Sequence, residues 1–518
     1  MKHQRVLLCG LFTVLLGALV WWPTLSGGLV ADDYMIMRHI QSGGVFGLWS
    51  SPGQGWFRPL VSVSFWIDWN LWGSNAWGWH FDNLLLHLAN SWLVGLSLVQ
   101  WLRLFPMVGG KLHHLMAGIL TTMIFAIIPV HGESVAWISD RTDILSVFFA
   151  LLSWNAYLYA RIKDKIPWTA WIFFAFALCS KEAVLTLPGA VLLVEWAKQG
   201  RPRLSKQWLR FVPWLVMGIL YIPIRAHFVG ALVGGYGASA HFGVSPIRLA
   251  LQPFLSIGRM LMPDPMPILG LLHVTNLTMW RWSLYGVYFC AGASLVLYAI
   301  WRIRGKNILP HVLWLGACIA WMLPSLSLGF QVDCSLSVRF LYFASAALVP
   351  WIVIQLEAIG AHRLYMRIAI VLFFTIWCAS SWETGSRWKH AGVMADSVVS
   401  TIAKNPSDYQ NVLLVGVPDH LKGALVFRSG LDQALKAHGV SGLDSIKIPA
   451  AITFWSSQDF MISKRQGDTL LISSSNPLGR WVVTPDTSSC WDIVEEQRVL
   501  RIRQDTTCPV ARIMHVAL

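Results

Sequence analysis

Apolar runs of membrane length, separated by short basic loops, dominate the first three quarters of the chain. A helix needs roughly 20 apolar residues to cross the hydrocarbon core of a bilayer. The runs predict helices over 6–22, 81–102, 114–130, 142–160, 167–179, 183–197, 209–228, 284–301, 310–329, 340–356 and 366–381, about 11 in all. Two of them, 167–179 and 183–197, are short and are separated by Ser180-Lys181-Glu182. Three longer polar stretches remain: 23–80, 229–283 and 382–518. Within the second, 246–262 reads as an amphipathic or re-entrant helix. In the third, apolar and polar positions alternate in stretches such as Asn411-Val-Leu-Leu-Val-Gly and Thr469-Leu-Leu-Ile-Ser, with Pro and Gly between them, as strands do. The predicted organisation is a polytopic α-helical membrane domain over 1–381 and a soluble α/β domain over 382–518.

Composition agrees with that pattern. Hydrophobic residues make up 55% of the chain and charged residues 13%, against about 25% charged in soluble proteins. With a mean hydropathy of +0.54, an ordinary soluble enzyme and a disordered chain are both excluded. The 30 Trp residues fit membrane–water interfaces.

A net charge of +14 would point to nucleic acid in a soluble protein. Here the basic residues gather in alternate loops: Lys2 and Arg5; Arg103 and Lys111; Arg161 to Lys165; Lys198 to Arg210; Arg302 to Lys306; Arg363 and Arg367. That face is cytoplasmic by the positive-inside rule, so no nucleic-acid partner is expected. With an odd number of crossings the tail lies outside the cytoplasm. The first run lacks a small-residue cleavage site and reads as a retained helix. In an oxidising compartment Cys490 and Cys508 of the tail form a candidate disulfide.

The polar residues at the outer helix junctions call for a chemical reason. They are Asp32-Asp33, Arg58, His131 and Glu133, Asp140, Arg141 and Asp143, Lys181-Glu182, Arg225 and His227, and Asp333 and Arg339. Charges near a bilayer are costly unless they are paired or face a wet cavity. Singly each is an ordinary boundary residue; together they can build one cavity holding acids and cations. His80, Asn83, His87 and Asn90 follow at helical spacing and form one stripe. Interhelical hydrogen bonding accounts for its inner members, while His80 lies nearest the cavity.

Paired acids suit removal of a proton from an acceptor hydroxyl, and also suit a helix N-terminus. Arg and Lys suit a phosphate. Together they point to transfer from a phospholipid-linked donor. His131 and Glu133 are weak candidate ligands for a divalent metal, since HExxH and CxxC spacings are missing. No P-loop, Rossmann fingerprint or nucleophile elbow is present, so no nucleotide cofactor is called for.

The motifs carry a family likeness. Ala31-Asp-Asp-Tyr, Phe57-Arg-Pro-Leu, His80-Phe-Asp-Asn-Leu-Leu-Leu-His, Ser180-Lys-Glu and Arg339-Phe-Leu-Tyr accompany the most specific stretch, Pro129-Val-His-Gly-Glu-Ser-Val-Ala-Trp-Ile-Ser-Asp-Arg-Thr-Asp-Ile-Leu. Over roughly residues 10–380 the chain resembles GT-C superfamily membrane glycosyltransferases, in particular the membrane half of the transmembrane/TPR O-mannosyltransferases and their bacterial relatives.

The resemblance implies a polyprenyl-phosphate-linked sugar as donor, undecaprenyl phosphate in a bacterium. It implies a periplasmic acceptor hydroxyl on a protein such as pilin, a glycan or a lipid. It implies an active site on the periplasmic face of a bacterial inner membrane. The family's first acid maps onto Asp32, with Asp33 adjacent. Arg339 maps onto the donor-phosphate contacts, followed by Lys181, Arg225 and Arg141. Arg58, His80, His131, Glu133 and Asp143 are left to orient sugar or acceptor. One catalytic carboxylate fits an inverting single displacement. The tail departs from the transmembrane/TPR O-mannosyltransferases, since it has no 34-residue TPR period. Pilin-glycosylating arabinosyltransferases, also GT-C enzymes, offer another precedent. The competing class is a transporter or flippase for a polyprenyl-linked substrate, which calls for inverted repeats and broken helices near the midplane.

Overall fold

In the computed structural model the described residues are 2–49, 57–105, 114–199, 208–230, 246–266, 277–303, 309–326, 330, 334, 336–359, 364–404, 412–440, 447–454, 461–466, 469–475, 480–483, 491–496, 499–504 and 512–515. The helices are α1 (Lys2–Val20), α2 (Asp32–Gly43), α3 (Pro59–Trp72), α4 (Ala76–Leu104), α5 (His114–Ile127), α6 (Gly132–Ala136), α7 (Arg141–Ile162) and α8 (Trp168–Leu178). They continue with α9 (Leu187–Gln199), α10 (Trp208–Val229), α11 (Pro246–Leu261), α12 (Leu277–Ile303), α13 (Leu309–Leu326), α14 (Tyr342–Ile359), α15 (Leu364–Ala403) and α16 (Leu431–Ala437).

Every predicted apolar run falls on a helix, but 11 spans do not follow. Among the described residues five helices are long and apolar enough to cross a membrane, or six if α5 and the bent segment Pro129–Ala136 form one broken span. Length is the reason. With 11 residues, α8 reaches only about 16 Å at 1.5 Å per residue, well short of a hydrocarbon core of about 30 Å. The chain is a multi-pass membrane protein, with several shorter apolar helices packed among the longer ones.

The first outer stretch, 23–80, is not an open loop. It holds α2 and α3, whose starts are written in the sequence. Asp32 and Asp33 occupy the first turn of α2, where carboxylates complement the helix dipole. Pro59 opens α3 at a position that needs no N–H. Asn75 caps α4 by accepting from Trp77 N at 3.2 Å. In the second stretch the expected amphipathic segment is α11, Pro246–Leu261.

Small residues let the helices close on one another. A Cβ on Gly95 of α4 would lie 2.6 Å from the Gly118 carbonyl oxygen of α5, and one on Gly258 of α11 would lie 1.9 Å from the Tyr288 oxygen of α12. The polar stripe of α4 faces inward as expected. His87 Nδ1 meets Tyr342 Oη at 2.9 Å, and Asn90 donates to Ile144 O at 2.9 Å.

Helix α15 is 40 residues long. It runs unbroken past residue 381, so the division expected there falls inside a helix, and the first strand starts only at Val412. Its buried positions Trp388, Ala391, Ala395, Val398, Val399 and Ile402 share a core with Leu414, Val415, Val417 and Ile452. That helical spacing seats the far half of α15 on a sheet.

The strands are β1 (Val412–Leu421), β2 (Ala424–Leu425), β3 (Lys447–Phe454), β4 (Met461–Gln466), β5 (Thr469–Ser474), β6 (Arg480–Val483), β7 (Trp491–Glu496), β8 (Val499–Gln504) and β9 (Arg512–His515). One sheet has the order β2-β1-β3-β6, with β9 also paired to β1. β1 and β3 are parallel and flank α16, a β-α-β arrangement in which a helical crossover joins parallel neighbours. The second sheet, β4-β5-β8-β7, is antiparallel. Cys490 and Cys508 lie outside the described residues.

Candidate active site

The two adjacent acids have different surroundings. Asp33 is buried and tied on both oxygens: Oδ1 accepts from the backbone N–H of Ser139 at 2.9 Å and from its hydroxyl, and Oδ2 accepts from Val30 N at 3.1 Å. It therefore anchors the start of α2 to the turn before α7. Burial pushes its carboxyl up to about 7, against the pull of the Ser139 and Val30 hydrogen bonds. Asp32, one residue earlier, lines a cleft of about 170 Å³ together with Arg58, Trp137, Asp140, Lys181 and Arg339.

A consequence for stability follows from Asp33. Its folded-state value of about 7 stands above the ordinary 3.8, so the folded chain holds a proton that the unfolded chain releases between those values. Stability therefore falls as pH rises through that window. The melting temperature of the purified protein is expected to drop between pH 5 and pH 8, and Asp33→Asn is expected to flatten the drop. An equal slope in both proteins would contradict it.

Arg339 and Lys181 are set against buried acids, and Arg58 against the half-buried Glu182. Arg339 donates from its backbone N–H to Glu133 Oε2 at 3.0 Å and from its guanidinium to Glu133 Oε1, and its Nε lies 3.6 Å from Asp140. Its guanidinium also stacks 5.0 Å from the Trp137 ring and 4.8 Å from the Phe340 ring. Lys181 Nζ sits 2.5 Å from Asp143 Oδ2. Arg58 lies 3.7 Å from Glu182. Burial alone would raise the Glu182 carboxyl, but Arg58 and Lys181 outweigh it and hold it below its ordinary range. Glu133 and Asp143 thus reach the site through the cations they hold. A cation held on a buried acid keeps one position before any ligand arrives, which is what an electrostatic site requires.

Other predicted residues stand apart from the cleft wall. Arg141 is 1% exposed. It is fully occupied by Asp68, by Asn83 Oδ1 at 2.6 Å and by Trp79 O at 2.8 Å. Its fork joins α3, α4 and α7 rather than facing a ligand. His131 is buried between Phe125 O at 3.0 Å and Ser345 Oγ at 2.8 Å, and His80 is buried beneath Gly27. Arg225 is buried near the end of α10. His131 and Glu133 do not converge as metal ligands, because their polar atoms meet Phe125, Ser345 and Arg339 instead. Among the described residues no group of three His, Cys, Asp or Glu could hold a metal ion.

Sequence reasoning missed one contact altogether. Ser429, in the turn before α16, donates its hydroxyl to Asp32 Oδ1 across 397 residues. No motif marks this serine. Asp140 stood within the quoted stretch but was given no role there, and it lines the cleft.

No family model matches the chain. Protein O-mannosyl-transferase TMTC4 of Homo sapiens is 37% identical over 146 residues, covering 26% of this chain and 20% of that protein. Protein O-mannosyl-transferase Tmtc1 of Drosophila melanogaster is 27% identical over 191 residues, covering 33% and 21%. The likeness is to O-mannosyl-transferases. It bears out the resemblance to the O-mannosyltransferases read from the motifs. The chain spans only about a fifth of the length of these relatives. Among solved structures, ArnT from Cupriavidus metallidurans bound to undecaprenyl phosphate shares 12% identity at a TM-score of 0.46, covering 96% of this chain and 98% of that one.

Proposed function

We propose that this protein is a membrane glycosyltransferase that moves a sugar from a polyprenyl-phosphate carrier to an acceptor hydroxyl. The reading rests on one observation: Asp32 shares a single cleft with Arg58, Lys181 and Arg339. An acid and a set of fixed cations are what this reaction needs. Asp32 takes the proton of the acceptor hydroxyl as its oxygen attacks the anomeric carbon. The bond from that carbon to the phosphate oxygen breaks, and the polyprenyl phosphate leaves with the electron pair. Arg339, Lys181 and Arg58 stabilise the charge that gathers on the leaving phosphate. A single displacement inverts the anomeric centre, and the donor is already activated, so no nucleotide takes part.

Asp33 is assigned the anchoring role and Asp32 the base. The site lies on the face opposite the basic loops, which is the periplasmic face in a bacterial inner membrane, and the tail lies on the same side. The names of the relatives make a mannosyl donor and a protein hydroxyl the first pair to try.

The test is turnover by purified protein on a panel of dolichyl- and undecaprenyl-phosphate sugars with an envelope-protein extract as acceptor. Mass spectrometry follows the free polyprenyl phosphate. Release with at least one sugar, dependent on Asp32, is the expected result. A folded protein that binds these lipids but releases none with any sugar would overturn the assignment and return weight to transport.

A further inference from the structure

The contact between Ser429 and Asp32 is part of a built junction. The turn 426–430 of the C-terminal domain lies against the start of α2 through four of its five residues. Ala31 N donates to Val426 O at 2.8 Å. Phe427 stacks on Tyr34, with ring centres 6.0 Å apart and planes 22° apart. Ser429 donates to Asp32. Gly430 has φ +83, and a Cβ there would lie 2.1 Å from the Ala31 carbonyl oxygen. Only glycine meets both demands, the left-handed backbone and the close approach.

The turn is itself fixed. Val426 N donates to Asp419 O at 2.9 Å and Phe427 N to Pro418 O at 2.9 Å. Arg428 holds the Asp419 carboxylate with two bonds, at 3.2 and 2.8 Å. Farther along, Arg387 of α15 donates to Lys422 O and to Asp264 Oδ2, each at 2.8 Å. Val30, Ala31 and Tyr34 are buried in the same core as Leu414, Phe427 and Leu431. On the membrane side, Ala31 holds φ 45, a conformation that a residue with a side chain rarely adopts. Such strain persists where neighbours over-determine it, and the bond to Val426 is one such restraint.

We propose that the C-terminal domain completes the acid site, with Ser429 as the residue that positions Asp32. This inference rests on the reading of Asp32 as the base. A hydroxyl donating to a carboxylate fixes its rotamer. The domain that follows the membrane helices is then part of the catalytic unit.

The experiment uses the full-length protein and three variants. Ser429→Ala removes the hydroxyl, Ser429→Thr keeps one, and Gly430→Ala forces a Cβ into the junction. In the turnover assay kcat is expected to fall about 10-fold in Ser429→Ala, the cost of roughly one hydrogen bond to a charged group, with donor KM unchanged. Ser429→Thr recovers most of the loss. Gly430→Ala falls further.

A second measurement needs no turnover. Water-soluble carbodiimide modifies accessible carboxyls, and peptide mass spectrometry locates the product. Modification of Asp32 is expected to rise in Ser429→Ala and Gly430→Ala, because the Ser429 hydroxyl no longer holds Oδ1. Unchanged kinetics or unchanged labelling in a folded Ser429→Ala protein would each overturn the role of Ser429. Full turnover by Asp32→Asn would instead overturn the reading of the base on which it rests.

Discussion

Asp32→Asn is expected to lower kcat by a factor on the order of 10³ while leaving the fold and donor binding intact. The amide has nearly the shape of the carboxylate but cannot accept the acceptor's proton. It can still accept from Ser429, so the junction with the tail survives the change. Asp33→Asn is the contrasting control. Asp33 is buried behind the cleft wall on Ser139 and Val30, so its loss should show in melting temperature before it shows in turnover. Parallel kinetics and thermal melts of the two variants separate the roles. Equal loss of kcat with equal loss of stability would mean that the two acids are one structural unit.

Arg339→Ala should be the most damaging change on the cation side. Two consequences follow from one side chain. The cleft loses a fork of donors suited to a phosphate. Glu133, which is 0% exposed, loses its guanidinium partner, and removing one member of a buried pair costs about 3 kcal/mol or more. A large rise in donor KM and a clear drop in melting temperature are therefore expected together. Arg339→Lys keeps the charge near Glu133 but loses the fork. It should recover most of the stability and only part of the donor affinity. Affinity for polyprenyl phosphate, read by competition with a labelled donor, checks the split. Full affinity in Arg339→Ala would remove this residue from the phosphate site.

The patterning of the chain made the membrane helices legible, because an apolar run of helical length has few other fates. It did not make the number of crossings legible. Segments such as Trp168–Leu178 are as apolar as a span but too short to be one. The helices α2 and α3 were missed because a stretch rich in Gly, Trp and Asp reads as a loop, although Asp32 and Pro59 mark their starts. The continuity of α15 through residue 381 was also missed, since its polar far half resembles the beginning of a soluble domain.

At the site, residue type was legible and orientation was not. Arg141 and Arg339 both stand in motifs that carry the family likeness. One is consumed by Asp68, Asn83 and Trp79, and the other lines the cleft. The same holds for Asp32 and Asp33, whose surroundings differ although they are adjacent. Ser429 was out of reach of any local pattern, because the chain brings it to Asp32 only after the tail has folded.

The most direct test of the account is a single-turnover experiment on protein preloaded with a polyprenyl-phosphate sugar that the donor panel has shown to be used. An envelope-protein extract is added, and the polyprenyl phosphate freed per enzyme is measured in the wild-type protein and in Asp32→Asn. The account predicts about one equivalent from the wild type, while the variant retains its donor unreacted. Equal release from both proteins would contradict it.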